Sequence, residues 1–249
     1  MTACAPVPPP PPLPPVFAGS VDGFERLPDD ETDLVEADEA PSAENIAQSE
    51  HSIRELFPAA EPQYDERTAT DVLRAYAHLD PGGVVPAGLL RKAILYFNTH
   101  KAKFPNQRYI SVIDYAKHSS NARFFVINMK DGSVWALRVV HGKGSDPDHN
   151  GYADVFGNDY ESHMSSLGYI RTAETYNGKH GRSLRLDGLS ATNSNMRGRA
   201  VVVHGSHLVW DQRKIQGRSK GCPAVPMAQK DRLIDMIRGG SLVYAGRTE

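Results

Sequence analysis

The chain has 249 residues, 40% of them apolar, enough for one sizeable domain with appendages. Its net charge of −2 hides an asymmetry: residues 20–67 carry fifteen acidic and three basic side chains, leaving fifteen acidic and twenty-five basic elsewhere, a net of about +10. That basic remainder suits an anionic partner, yet its Lys and Arg are scattered singly and no nucleic-acid motif appears, which argues against nucleic acid.

In chain order, the first residues offer neither the basic start nor the apolar stretch of a secretory signal, so read literally the chain stays in the cytoplasm. Residues 6–15 are almost all proline, a stiff polyproline II spacer. Residues 20–65 are acidic and poor in aromatics, and bury too little apolar surface to offset ordering. Composition therefore predicts a disordered Pro-rich and acidic arm over 1–67, with a short helix near Ala43–Leu56 as the lesser alternative. A helical lead-in over 68–104 follows. Thr70, Val72, Leu73 and Tyr76 have helical spacing, Asp80-Pro81-Gly82-Gly83 stops that helix, and a second runs from Pro86 to about Lys101.

From 105 to 247 the period becomes β-like. Strands are predicted at Tyr109–Tyr115, Arg123–Met129, Val134–Val140, Ser166–Glu174, Arg182–Leu186, Arg199–His204 and Ser241–Ala245. Asp131-Gly132 joins the second and third as a hairpin. A helix after Pro226 sets Leu233, Ile234 and Ile237 on one face before Gly239-Gly240 ends it. The sum is a mainly β (α+β) domain of sandwich or barrel type with flanking helices. No run approaches the length of a membrane span.

Two cysteines, Cys4 and Cys222, cannot make a disulfide framework. Cys222 closes the turn Ser219-Lys220-Gly221-Cys222, and His204 lies at the end of an apolar strand upstream. One reading is a nucleophile and its base, with Arg218 and Lys220 easing a thiolate, and backbone N–H groups of the turn receiving an oxyanion. The other is a small buried hydrophobe. Thioester acyl transfer is the chemistry the first reading favours.

The pattern His204-Gly205 followed by Ser219-Lys220-Gly221-Cys222 resembles the signature of the YkuD-like L,D-transpeptidases of bacterial cell walls. The resemblance continues through Tyr109–Tyr115, His141-Gly142-Lys143-Gly144-Ser145, Glu174–Gly181, Ser183–Gly188 and Gly221–Pro226, and covers roughly residues 85–245. It implies the L,D-transpeptidase-like fold and a cysteine acyltransferase acting on peptidoglycan stem peptides, donor and amine acceptor alike. Cys222 would be the nucleophile, His204 the base, Gly221 part of the oxyanion turn and Ser219 its brace. Gly205, Lys220, Arg218, His141, Lys143, Tyr176 and His180 would line the substrate groove. No metal or organic cofactor is implied; acylation by carbapenems and a periplasmic or cell-envelope location are. With a true start upstream, Met1-Thr2-Ala3-Cys4 would resemble the end of a lipoprotein signal, with Cys4 lipidated.

One departure stands out: many relatives have His where this chain has Lys220. Two alternatives therefore stay open, an L,D-carboxypeptidase in which water resolves the thioester and a non-catalytic wall-binding module. His149, His163, His180 and Asp187 have no metal-ligand spacing. Arg185 and Asp187 are read as an ion pair or a carboxylate contact, and Trp210 as a groove wall or core residue.

Overall fold

The computed structural model describes residues 41–57 and 63–249. The proline run, Cys4 and most of the acidic stretch lie outside them. Inside the predicted arm, Ala43–Leu56 forms a fourteen-residue helix, α1, capped by the Ser42 side chain. The expectation of a solvated linker fails here because of two residues four apart. Ile53 and Phe57 are buried, and the Phe57 ring packs 5.3 Å from Phe104 and 5.6 Å from His100. Bulk composition averages over such an anchor. Helix α2 (Glu66–Ala75) begins before Thr68, where Asp65 caps it with a carboxylate accepting from the Thr68 N–H at 2.9 Å.

Helix α3 (Ala87–His100) starts behind Pro86 and buries Leu89, Ala93, Ile94, Tyr96, Phe97 and His100. It lies on a mixed seven-stranded sheet whose order is β3-β2-β1-β9-β4-β5-β6. Those strands are β1 (Tyr109–Asp114), β2 (Phe124–Asn128), β3 (Val134–Leu137), β4 (Gly168–Gly178), β5 (Gly181–Gly188), β6 (Val202–Val203) and β9 (Leu242–Gly246). The central β1–β9 pair is parallel and the other pairs are antiparallel. Strands β3 and β6 do not pair with each other, so the sheet remains an open half-barrel.

Strand alternation divides two cores. Ile110, Val112, Phe125, Ile127, Leu242 and Tyr244 face α3, where Tyr169 stacks 3.8 Å from Tyr96. Ile113, Phe124, Val126, Val243 and Ala245 face the other way, onto Leu233, Ile234 and Ile237 of α4 (Lys230–Ile237). The predicted hairpin and the predicted helical stripe are both present.

The predicted strand Arg199–His204 is shorter than expected. Ala200 has φ +53, and the N–H groups of Arg199 and Ala200 bond back to Asn195 and Arg197 in a turn. Only Val202 and Val203 join the ladder, opposite Arg185 and Leu184. The chain then forms β7 (Gly205–Ser206), parallel to β8 (Val225–Pro226). This second small sheet brings the segment after His204 beside the segment after Cys222.

Candidate active site

The turn before Cys222 is fixed from inside by Ser219. Its Oγ donates to the Cys222 carbonyl at 2.7 Å and accepts from the Gly221 N–H at 3.1 Å. One hydroxyl thus closes both ends of the turn. Gly221, whose N–H is held by that hydroxyl, has an unusual backbone as well. Its φ is +117, and a Cβ there would come within 2.7 Å of the Met164 carbonyl oxygen. From outside, the loop after His141 clamps the turn: the Ser219 N–H donates to the His141 carbonyl and the Lys143 N–H to the Ser219 carbonyl, at 2.9 and 2.7 Å.

The Cys222 side chain is 7% exposed. Its Sγ lies 3.5 Å from the Val202 nitrogen and 3.8 Å from the Ala200 carbonyl oxygen, on the segment that leads into His204. The His204 carbonyl accepts from the Val225 N–H at 3.0 Å. Its Nδ1 is 2.9 Å from the Gly205 carbonyl. A carbonyl only accepts, so Nδ1 carries the hydrogen and the lone pair of the neutral ring sits on Nε2. The His180 ring, from the tip of the β4–β5 hairpin, packs against that imidazole.

Three expected groove residues are placed elsewhere. His141 is fully buried: its Nδ1 accepts from Arg123 at 2.8 Å, and its Nε2–H donates to Asp146 at 2.9 Å. Burial, with the nearby guanidinium, pushes the imidazole down to about 4, so it is neutral at pH 7. Burial raises the Asp146 carboxyl, but the hydrogen bond from His141 and those from Gly151 and Asn150 outweigh it and leave a carboxylate. This strut supports the loop beneath the thiol turn. Arg218 donates to the Asp146 and Pro147 carbonyls and so braces that same loop. Gly205 is buried in β7, where a Cβ would lie 2.6 Å from Lys230 and Met227 atoms.

Tyr176 lies on the hairpin that carries His180, with the Arg185 guanidinium 4.1 Å from its ring. Arg185 pairs with Glu174, whereas Asp187 pairs with Arg197 and Arg171, so Arg185 and Asp187 do not pair with each other. Lys214 covers the Trp210 ring at 3.6 Å. Among the described residues, no group of three His, Cys, Asp or Glu side chains is set to hold a metal.

Two neighbours of the thiol turn escape sequence reasoning. Arg199 donates only to uncharged acceptors, including the Met164 carbonyl at 2.7 Å and the Ser166 hydroxyl at 2.8 Å. Burial lowers its pKa, and the Cys222 thiolate is the first of the groups that raise it. The second is His163, with φ +55, whose carbonyl accepts from the Gly144 N–H. Neither belongs to a motif.

The model of the L,D-transpeptidase catalytic domain family matches residues 84–245, and the chain belongs to that family. Among solved structures, the chain is similar to an L,D-transpeptidase from Mycobacterium smegmatis, with 13% identity and a TM-score of 0.37 over 56% of this chain and 58% of that one. It is also similar to residues 123–326 of an L,D-transpeptidase from Xylanimonas cellulosilytica, with 18% identity and a TM-score of 0.34 over 81% and 93% of the two chains. A protein of Bdellovibrio bacteriovorus matches at 14% identity and a TM-score of 0.34, over 55% of this chain and 47% of that one. The chain thus spans about half to three-fifths of the M. smegmatis and B. bacteriovorus structures. Comparison with curated protein sequences gives no match.

Proposed function

We propose that this chain is a peptidoglycan L,D-transpeptidase in which Cys222 is the acylated nucleophile and His204 its base. The supporting observation is the Ser219 turn, which holds the thiol against the strand that ends in His204. The Cys222 sulfur attacks the carbonyl carbon of an L,D peptide bond while His204 Nε2 takes the thiol proton. The C–N bond breaks, and the proton passes to the departing D-amino acid nitrogen, leaving a thioester. An acceptor amine attacks the thioester carbonyl and gives its proton to His204. The C–S bond breaks and the thiol regains that proton. A positioned base of this kind contributes about 10²–10⁴-fold in rate.

This reading locates the protein in the cell envelope, where the polymer is, with Cys4 as the anchor point should a lipoprotein signal precede it. No helix of the described residues is long and apolar enough to cross a membrane. Incubating the full chain with a tetrapeptide stem, with and without an amine acceptor, tests the reaction. A crosslinked product supports transpeptidation. Hydrolysis alone would make the protein a carboxypeptidase, and no turnover would leave a wall-binding module.

A further inference from the structure

Three segments bring basic side chains to the rim of the thiol turn. Lys220 is part of the turn itself. Lys143 follows the glycine that pairs with Ser219 and donates its N–H to the Ser219 carbonyl at 2.7 Å. His163 belongs to a loop pressed on both: a Cβ at Gly142 would lie 2.1 Å from the His163 carbonyl oxygen and 3.0 Å from the Gly221 nitrogen. Lys143, His163 and Lys220 are all half-buried.

The two lysine ammonium groups have no hydrogen bond or ion pair among the described residues. Burial, and then Lys143 and Lys220, lower the His163 pKa; Arg199 acts the same way, and Glu161 is the one acidic group that opposes them. Like charges that outnumber a single acidic neighbour repel, and half-buried ammonium groups lose hydration. The left-handed backbone at Glu161 and His163, with φ +57 and +55, costs on the order of 1–3 kcal/mol per residue and is held here by the packing around it. Charge and geometry together favour an anion arriving at the thiol turn.

We infer that Lys143, His163 and Lys220 form a carboxylate-binding subsite that positions the acyl donor for attack by Cys222. This inference rests on the nucleophile reading above and deepens it. It gives Lys220, two residues before the thiol, a task in binding that the histidine of relatives does not share.

The test is a pair of alkylating reagents matched in size but not in charge, anionic iodoacetate and neutral iodoacetamide, applied to the full chain with Cys222 labelling followed by peptide mass. A change in thiolate content alters both rates equally and cancels in their ratio. The expected result is a ratio of iodoacetate to iodoacetamide rates about tenfold higher in the parent than in the Lys143→Gln/Lys220→Gln double variant. An unchanged ratio overturns the subsite while leaving the nucleophile reading intact. A parent Cys222 inert to both reagents overturns the nucleophile reading and the subsite with it. Donor peptides amidated at the C-terminus or at a side-chain carboxyl identify which carboxylate is bound. The one whose amidation abolishes the difference between parent and variant is the ligand, and a difference that survives both amidations overturns the proposal for the natural donor.

Discussion

The imidazole of His180 lies against that of His204, with ring centroids 4.5 Å apart and planes tilted by 31°. A residue from the tip of a sheet hairpin thus packs on the proposed base, which its own neighbour Gly205 holds by Nδ1. Ring packing of this kind contributes about 1 kcal/mol, or roughly fivefold in rate where the orientation of the ring matters. His180→Ala should therefore lower acylation of Cys222 about fivefold, with a stability loss of no more than about 1 kcal/mol. His180→Phe, which keeps the aromatic face, should restore most of the rate. Equal loss in both variants would mean that the imidazole itself is needed.

Ser219 serves two buried backbone groups with one hydroxyl. Ser219→Ala leaves the Gly221 N–H without that partner, at about 1–3 kcal/mol, while the Cys222 carbonyl keeps the Ala224 N–H at 3.0 Å. Denaturant unfolding should show that loss, and acylation should fall more steeply than stability because the turn that aims the sulfur relaxes. Ser219→Thr keeps the hydroxyl and should retain both properties.

Arg199 places a half-buried positive charge near the sulfur with no carboxylate bonded to it. Arg199→Met should slow alkylation of Cys222 at neutral pH and move the rise of its rate to higher pH, since the thiolate loses a favourable charge. A rate–pH curve that superimposes on the parent's would remove Arg199 from any electrostatic role.

The His141–Asp146 strut makes stability depend on pH. The imidazole titrates at 6.5 in the unfolded chain and at about 4 when folded, so the unfolded state binds the extra proton between those values. The contribution is complete above pH 6.5 and is lost as pH falls toward 4, by up to about 3 kcal/mol. The lowered Asp146 carboxyl extends the loss below pH 3.8. Urea unfolding from pH 7 to 4 should show this decline. His141→Gln should flatten the part between 6.5 and 4 while lowering stability throughout, because Arg123 and Asp146 lose their common partner.

What could be read from the sequence was local. Alternation marked β1, β2 and β9, Asp131-Gly132 marked the hairpin, and Leu233, Ile234 and Ile237 marked the buried face of α4. Cys222 and His204 were visible because each sits in a short, chemically unusual context. Pairings across the fold stayed hidden. His141 appeared to be a groove residue until Arg123, eighteen positions earlier, proved to need its lone pair. Helix α1 was masked by the acidic residues around Ile53 and Phe57. Arg199 and His163 have ordinary neighbours in sequence and acquire meaning only where their loops meet the thiol turn.

The central claim is that Cys222 is the acylated residue. Incubation of the full chain with a carbapenem, with the adduct located by peptide mass, tests it most directly. One adduct per chain is predicted, on the peptide containing Cys222, and none on the Cys222→Ala variant. An unmodified parent, or the same adduct on Cys222→Ala, would contradict the account.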